Sequence, residues 1–181
     1  MSNEPNPVMR CADLTASELA SLLARYDMLI ESVPEKEEIT GSFWGDAEAG
    51  LVDNRLFVRP DTPVHSALHE ACHYICMDQQ RRENLDTDAG GGYEEEDGVC
   101  YLQILLSEHI AEMGRERMFS DMDAWGYSFR LGSSQAWFER DAEDAFAWLR
   151  RHRLVDDNNQ PAWRLRDQFS AAANNAKNAK A

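Results

Sequence analysis

The strongest structural commitment in the chain is five residues long: His69-Glu70-Ala71-Cys72-His73. Two imidazoles four positions apart stand one above the other only if the segment is helical. They then reach one divalent metal ion together. The flanking sequence agrees: Pro60 and Asp61-Thr62-Pro63 mark a turn and a helix start, with Pro63 suited to the first helical position. The helix is predicted to run to about Gln80, with Leu68, Ala71, Cys72, Ile75 and Cys76 on its core side. Glu70 falls slightly round the helix from the histidines. It is placed to reach a water on the ion rather than the ion, and is the candidate catalytic residue. Three of the five histidines, His65, His69 and His73, fall within nine residues. His65 extends the stripe by one turn and is read as a supporting or exposed residue, and Cys76 as a core thiol.

A two-histidine site needs a third protein donor. Glu94, Glu95, Glu96 and Asp97 open the next long helix, predicted from about Glu95 to Met113 with Gly114 as its C-cap. Its buried stripe is Val99, Leu102, Leu105, Leu106 and Ile110. Glu96 shares a face with Val99, Gln103, Leu106 and Ile110, and Glu95 shares one with Val99, Leu102 and Leu106. Glu96 is the preferred metal ligand and Glu95 the alternative. Either completes a set of two histidines and one carboxylate, with positions left for water, oxygen or substrate. The competing role for such a cluster is to favour a helix N-terminus.

The remaining pattern predicts an α+β fold, mostly helical, as one metal-binding domain over residues 13–170. Residues 1–12 are expected to be irregular and 171–181 a disordered tail. A first helix starts at Thr15, with Glu18 completing a capping box. Leu19, Leu22, Leu23, Tyr26, Leu29 and Ile30 form its stripe, and Pro34 stops it. Leu51 to Arg59 holds a strand centred on Leu56-Phe57-Val58. Residues 86–92, rich in glycine, form either a lid or a flexible link. A further helix is expected over Ser134 to Arg151 and a short one over Pro161 to Phe169. Residues 115–132 carry no clear period; Asp121, Asp123, Trp125 and Tyr127 within them are candidates to line a pocket.

Composition narrows the functional classes. A formal charge of −15 disfavours nucleic acid and anionic membranes, and favours a cationic substrate group or a basic partner. No apolar run approaches the ~18 residues of a membrane span, and the first residues lack the pattern of a signal peptide. A cytoplasmic protein is expected, with Cys11, Cys72, Cys76 and Cys100 as reduced thiols. Oligomeric state is not legible.

Two resemblances follow from these residues. The motif and a downstream glutamate resemble the metal site of zincin metallopeptidases, whose motif helix packs against a Glu-bearing helix. That resemblance implies zinc, with Glu70 as general base. A longer stretch resembles the elongation factor P hydroxylases. Asn54-Arg55-Leu56-Phe57-Val58 and Ser66-Ala67-Leu68-His69-Glu70-Ala71-Cys72-His73-Tyr74 look like that family's strand and motif helix. Arg81-Arg82-Glu83 and the acidic-opened helix from Tyr93 to Leu106 look like the segments that follow. The likeness spans residues 43–150, with a shorter, glycine-rich connection between the two helices. It implies an iron-dependent hydroxylase, an oxidoreductase acting on a modified lysine of the translation factor. By resemblance His69, His73 and Glu96 would be its ligands. The chain lacks the His-x-Asp pair of jelly-roll 2-oxoglutarate oxygenases, so that architecture is not expected.

Overall fold

The computed structural model describes residues 8–15 and 17–168; the expected tail at 171–181 lies outside the described residues. The architecture is mixed α+β and mostly helical. Seven helices are described: α1 (Glu18–Ala24), α2 (Val64–Cys76), α3 (Gln79–Arg82), α4 (Tyr93–Ser107), α5 (Gly114–Trp125), α6 (Ser134–Arg140) and α7 (Glu143–Arg151). They pack with one small sheet of β1 (Leu29–Ser32), β2 (Gly50–Val52) and β3 (Arg55–Val58), ordered β1-β3-β2. β1 runs parallel to β3, and β2 antiparallel to it.

Two helices form the centre. In α2 every residue from Val64 to Cys76 is buried except His69, which is half-buried, and α4 is buried continuously from Gly98 to Ser107. A helix buried on all sides needs partners all round. α4 has them: α2 on one face, α7 on another and α5 on a third. Gly98 permits the α7 approach, because a Cβ there would sit 2.7 Å from the Trp148 ring.

Several expected boundaries are corrected. The first helix ends at Ala24, because Asp27 takes a left-handed conformation (φ 57°) that breaks the spiral. Leu29 and Ile30 then join β1, and Asn54 pins the turn by donating to the Asp27 carbonyl at 2.8 Å. The expected strand at Leu56-Phe57-Val58 is present as β3, and the residues before it add β2, the two forming a hairpin that turns at Asp53-Asn54. α2 stops at Cys76, and Asp78 caps the short α3 by accepting from the Arg81 amide. α4 ends at Ser107, and Gly114 opens α5 instead of capping its predecessor. Residues 134–151 form two helices, interrupted at Asp141, whose carboxylate pairs with Arg130. After Pro161, which bridges to Val155, residues 162–167 run through a bend and turns and Gln168 is helical; the end of the expected helix lies outside the described residues. Of the segment expected to be irregular, residues 1–7 lie outside the described residues and Val8 and Met9 have no regular structure, but Arg10 bridges to Pro63 and Cys11 begins a 3-10 turn. Among the described residues no helix is long and apolar enough to cross a membrane.

Candidate metal centre

α2 presents His65, His69 and His73 on one stripe, and α4 faces it with Glu96. His69 Nε2 lies 3.1 Å from His73 Nε2. The Glu96 carboxylate reaches His69 Nε2 at 3.2 Å and His73 Nε2 at 3.4 Å. Donors about 2.0–2.1 Å from one tetrahedral ion stand roughly 3.3–3.4 Å apart, and octahedral neighbours about 3.0 Å apart. All three separations match donors around a single ion. The chemistry of the set fits as well, with two largely buried imidazoles and one half-exposed carboxylate converging.

The tautomer of His69 is fixed from behind. Gln103, fully buried on α4, donates its amide nitrogen to the His65 carbonyl at 3.2 Å. Its Oε1 therefore faces His69 Nδ1, which donates to it at 2.8 Å. With that ring proton on Nδ1, the Nε2 lone pair points at His73 and Glu96. Such support is usual behind a metal-bound imidazole. His73 Nδ1 is buried and has no hydrogen-bond partner among the described residues.

Without a metal the electrostatics hold a proton in this place. Burial opposes charge on His69, but Tyr127, Cys100 and Glu96 together hold its pKa above the ordinary value. Burial and the neighbouring His69 charge push His73 down to about 4. Glu96 is lowered although burial opposes it, because both histidines favour its charge. Burial pushes Glu70 up to about 7, with Glu48 and Glu96 adding to the rise and His69 opposing it.

The histidines, Glu70 and Glu96 line a cavity of about 610 Å³. Its walls also carry Phe43, Trp44, Glu48, Asp88, Trp125 and Tyr127. Four carboxylates and no lysine or arginine stand among its described lining residues. His65 sits beside the histidine pair, its ring 5.0 Å from Trp125 and its Nδ1 3.4 Å from the Tyr127 hydroxyl.

The sequence-derived candidates separate cleanly here. His69, His73 and Glu96 come together, and Glu70 faces the same cavity. Glu95, the alternative ligand, points elsewhere. Its carboxylate takes Arg81 at 2.7 Å and Arg166 at 3.0 Å, so it clamps α3, α4 and the C-terminal segment. Arg81 also donates to the Ala89 carbonyl at 3.2 Å, tying the glycine-rich connection in place. Residues Thr87, Asp88, Ala89 and Gly90 of that connection form part of the cavity wall. Trp125 and Tyr127 line the cavity, whereas Asp121 accepts the Met9 amide and Asp123 the Ser134 amide. Gln103 and Cys100 escaped notice as functional residues. Their signal was spacing, seven and four positions after Glu96 on one helical face.

Neither a protein-family model, nor a curated protein, nor a solved structure matches the chain.

Proposed function

We propose that the protein is a mononuclear metal-dependent enzyme, with a zincin-like pairing of α2 and α4 holding the ion between His69, His73 and Glu96. One observation carries this reading: three donor groups from two helices converge within 3.1–3.4 Å at the wall of a cavity. The ion would supply Lewis acidity and, as iron, electron transfer to and from dioxygen. Glu70 takes up and returns protons at the cavity wall. Gln103 keeps the His69 lone pair aimed at its place.

The favoured reaction is hydroxylation of a lysine-derived side chain on a protein, by dioxygen and an external reductant. The resemblance to elongation factor P hydroxylases supports it. The cavity adds physical support: its carboxylates Glu48, Glu70, Asp88 and Glu96 suit an amine, and the exposed Trp44 and Phe43 offer faces for a cation or an alkyl chain. The second reading is a zinc peptidase or other hydrolase. It is favoured by Glu70, a buried carboxylate beside the histidines that fits a general base.

Mass spectra of elongation factor P from cells with and without the gene test the first reading. A loss of ~16 Da, one oxygen, on deletion is expected; an unchanged factor sinks the hydroxylase assignment. Glu70→Gln should keep the metal and lose turnover on either reading, measured by metal content and by activity on whichever substrate is identified. Full activity in that variant would remove Glu70 from the chemistry.

A further inference from the structure

We infer that Cys100 is a fourth protein donor to the ion, so that α4 contributes a carboxylate and a thiolate one turn apart. This donor role rests on the metal-centre reading above. The thiol of Cys100, a ring nitrogen of His69 and a carboxylate oxygen of Glu96 lie within 4.8 Å of one another. Cys100 follows Glu96 by four positions and so occupies the same face of α4. The bland role for a buried cysteine is core filling, and Cys72 and Cys76 on α2 fit it. Among the described residues, neither joins a comparable cluster of donors.

A second cavity supports a role for Cys100 beyond packing. It has a volume of about 610 Å³ and is lined by Cys100, Tyr93, Asp97, Phe129 and Trp137. It shares Glu96 and Tyr127 with the first cavity. Glu96 therefore borders both cavities, with the histidines and Glu70 lining the first and Cys100 the second.

Charge favours the same assignment. A divalent ion with Glu96 alone leaves one positive charge beside two largely buried histidines, and a thiolate neutralises it. On binding, the S–H bond breaks, an S–metal bond forms and the proton leaves to solvent, with no change in oxidation state. A thiolate also biases the site towards softer ions and away from magnesium and calcium. With four protein donors a tetrahedral zinc would be closed. A five- or six-coordinate ion would keep positions free for substrate, which agrees with the hydroxylase reading.

Cobalt(II) titrated into the metal-free full chain tests this by absorption. The wild type should show the visible d–d bands of bound cobalt and an intense near-ultraviolet thiolate-to-cobalt charge-transfer band. Cys100→Ser should keep the d–d bands, lose the charge-transfer band and bind about tenfold more weakly. Visible bands without charge transfer in the wild type, or a charge-transfer band that persists in Cys100→Ser, would overturn the assignment and leave the His69–His73–Glu96 centre standing. Absence of visible bands in the wild type, or identical bands in a His69→Ala/His73→Ala variant, would overturn the centre itself and Cys100 with it. The wild-type spectrum decides even if Cys100→Ser folds poorly.

Discussion

Gln103 shows how much of a site one uncharged side chain can determine. Its amide is oriented by the His65 carbonyl and in turn orients His69. Gln103→Leu should weaken metal binding by roughly 10–100-fold with little change in the far-ultraviolet spectrum; unchanged affinity by competition titration would refute its positioning role. His65 carries a different prediction. Burial, with the charge of His69, pushes its pKa down to about 3, so the fold favours its neutral form. The associated stability is complete above the ordinary value of 6.5 and is lost as pH falls from there towards 3. Every tenfold loss of proton affinity on folding corresponds to about 1.4 kcal/mol. Metal-free wild type should therefore lose several kcal/mol more than His65→Asn between pH 7 and pH 4, read by denaturant unfolding. Equal losses would clear His65 of the acid sensitivity. At this scale the sequence was informative where helical spacing sets direction. His69, His73 and Glu96 converge because i, i+4 geometry and the stripe of the next helix aim them. Gln103 was opaque, since a lone amide in an apolar stripe looks the same whether it is tolerated or needed.

Among the elements, α2 and α4 were legible because each carries a long apolar period. Their ends were not, because local capping decides them: Asp78 restarts the chain as α3, and Gly114 begins α5. The β1 strand was misread as helix because Leu29 and Ile30 prolong a helical stripe as well as they fill a strand. Only a partner strand distant in sequence distinguishes the two. Adjacent glutamates on α4 divide between two tasks, and substitution should separate them. Glu95→Ala leaves Arg81 and Arg166 without their buried partner and should cost about 3–5 kcal/mol of stability, with metal affinity of the folded protein preserved within a few-fold. Glu96→Ala should keep the fold and abolish tight binding. A reversed pattern in paired denaturant and metal titrations would exchange their roles. At the α4–α7 contact, Gly98→Ala drives a methyl group into Trp148 and should destabilise by about 1–3 kcal/mol.

Over the whole molecule, charge and topology pull in different directions for a reader of sequence. The charge of −15 was visible at once, and the acidic cavity wall is its local expression. Capture of a cationic peptide should accordingly slow as ionic strength rises from ~0.01 M to ~0.15 M, where screening shortens from about 30 Å to 8 Å. A salt-independent on-rate in stopped flow would show that the field does not steer. The parallel β1–β3 pairing and the return of the C-terminal segment to α2 were invisible, since both join residues far apart along the chain. That return has a temporal consequence. The Arg166 amide donates to the Ile75 carbonyl at 3.0 Å. Its guanidinium reaches Cys76, 90 positions earlier, and Glu95. During synthesis both central helices therefore leave the ribosome well before the residue that ties their ends together. The nascent chain carries its histidines and glutamates for tens of residues before the clamp behind them can form, so this wall of the cavity becomes rigid only after Arg166 has been made.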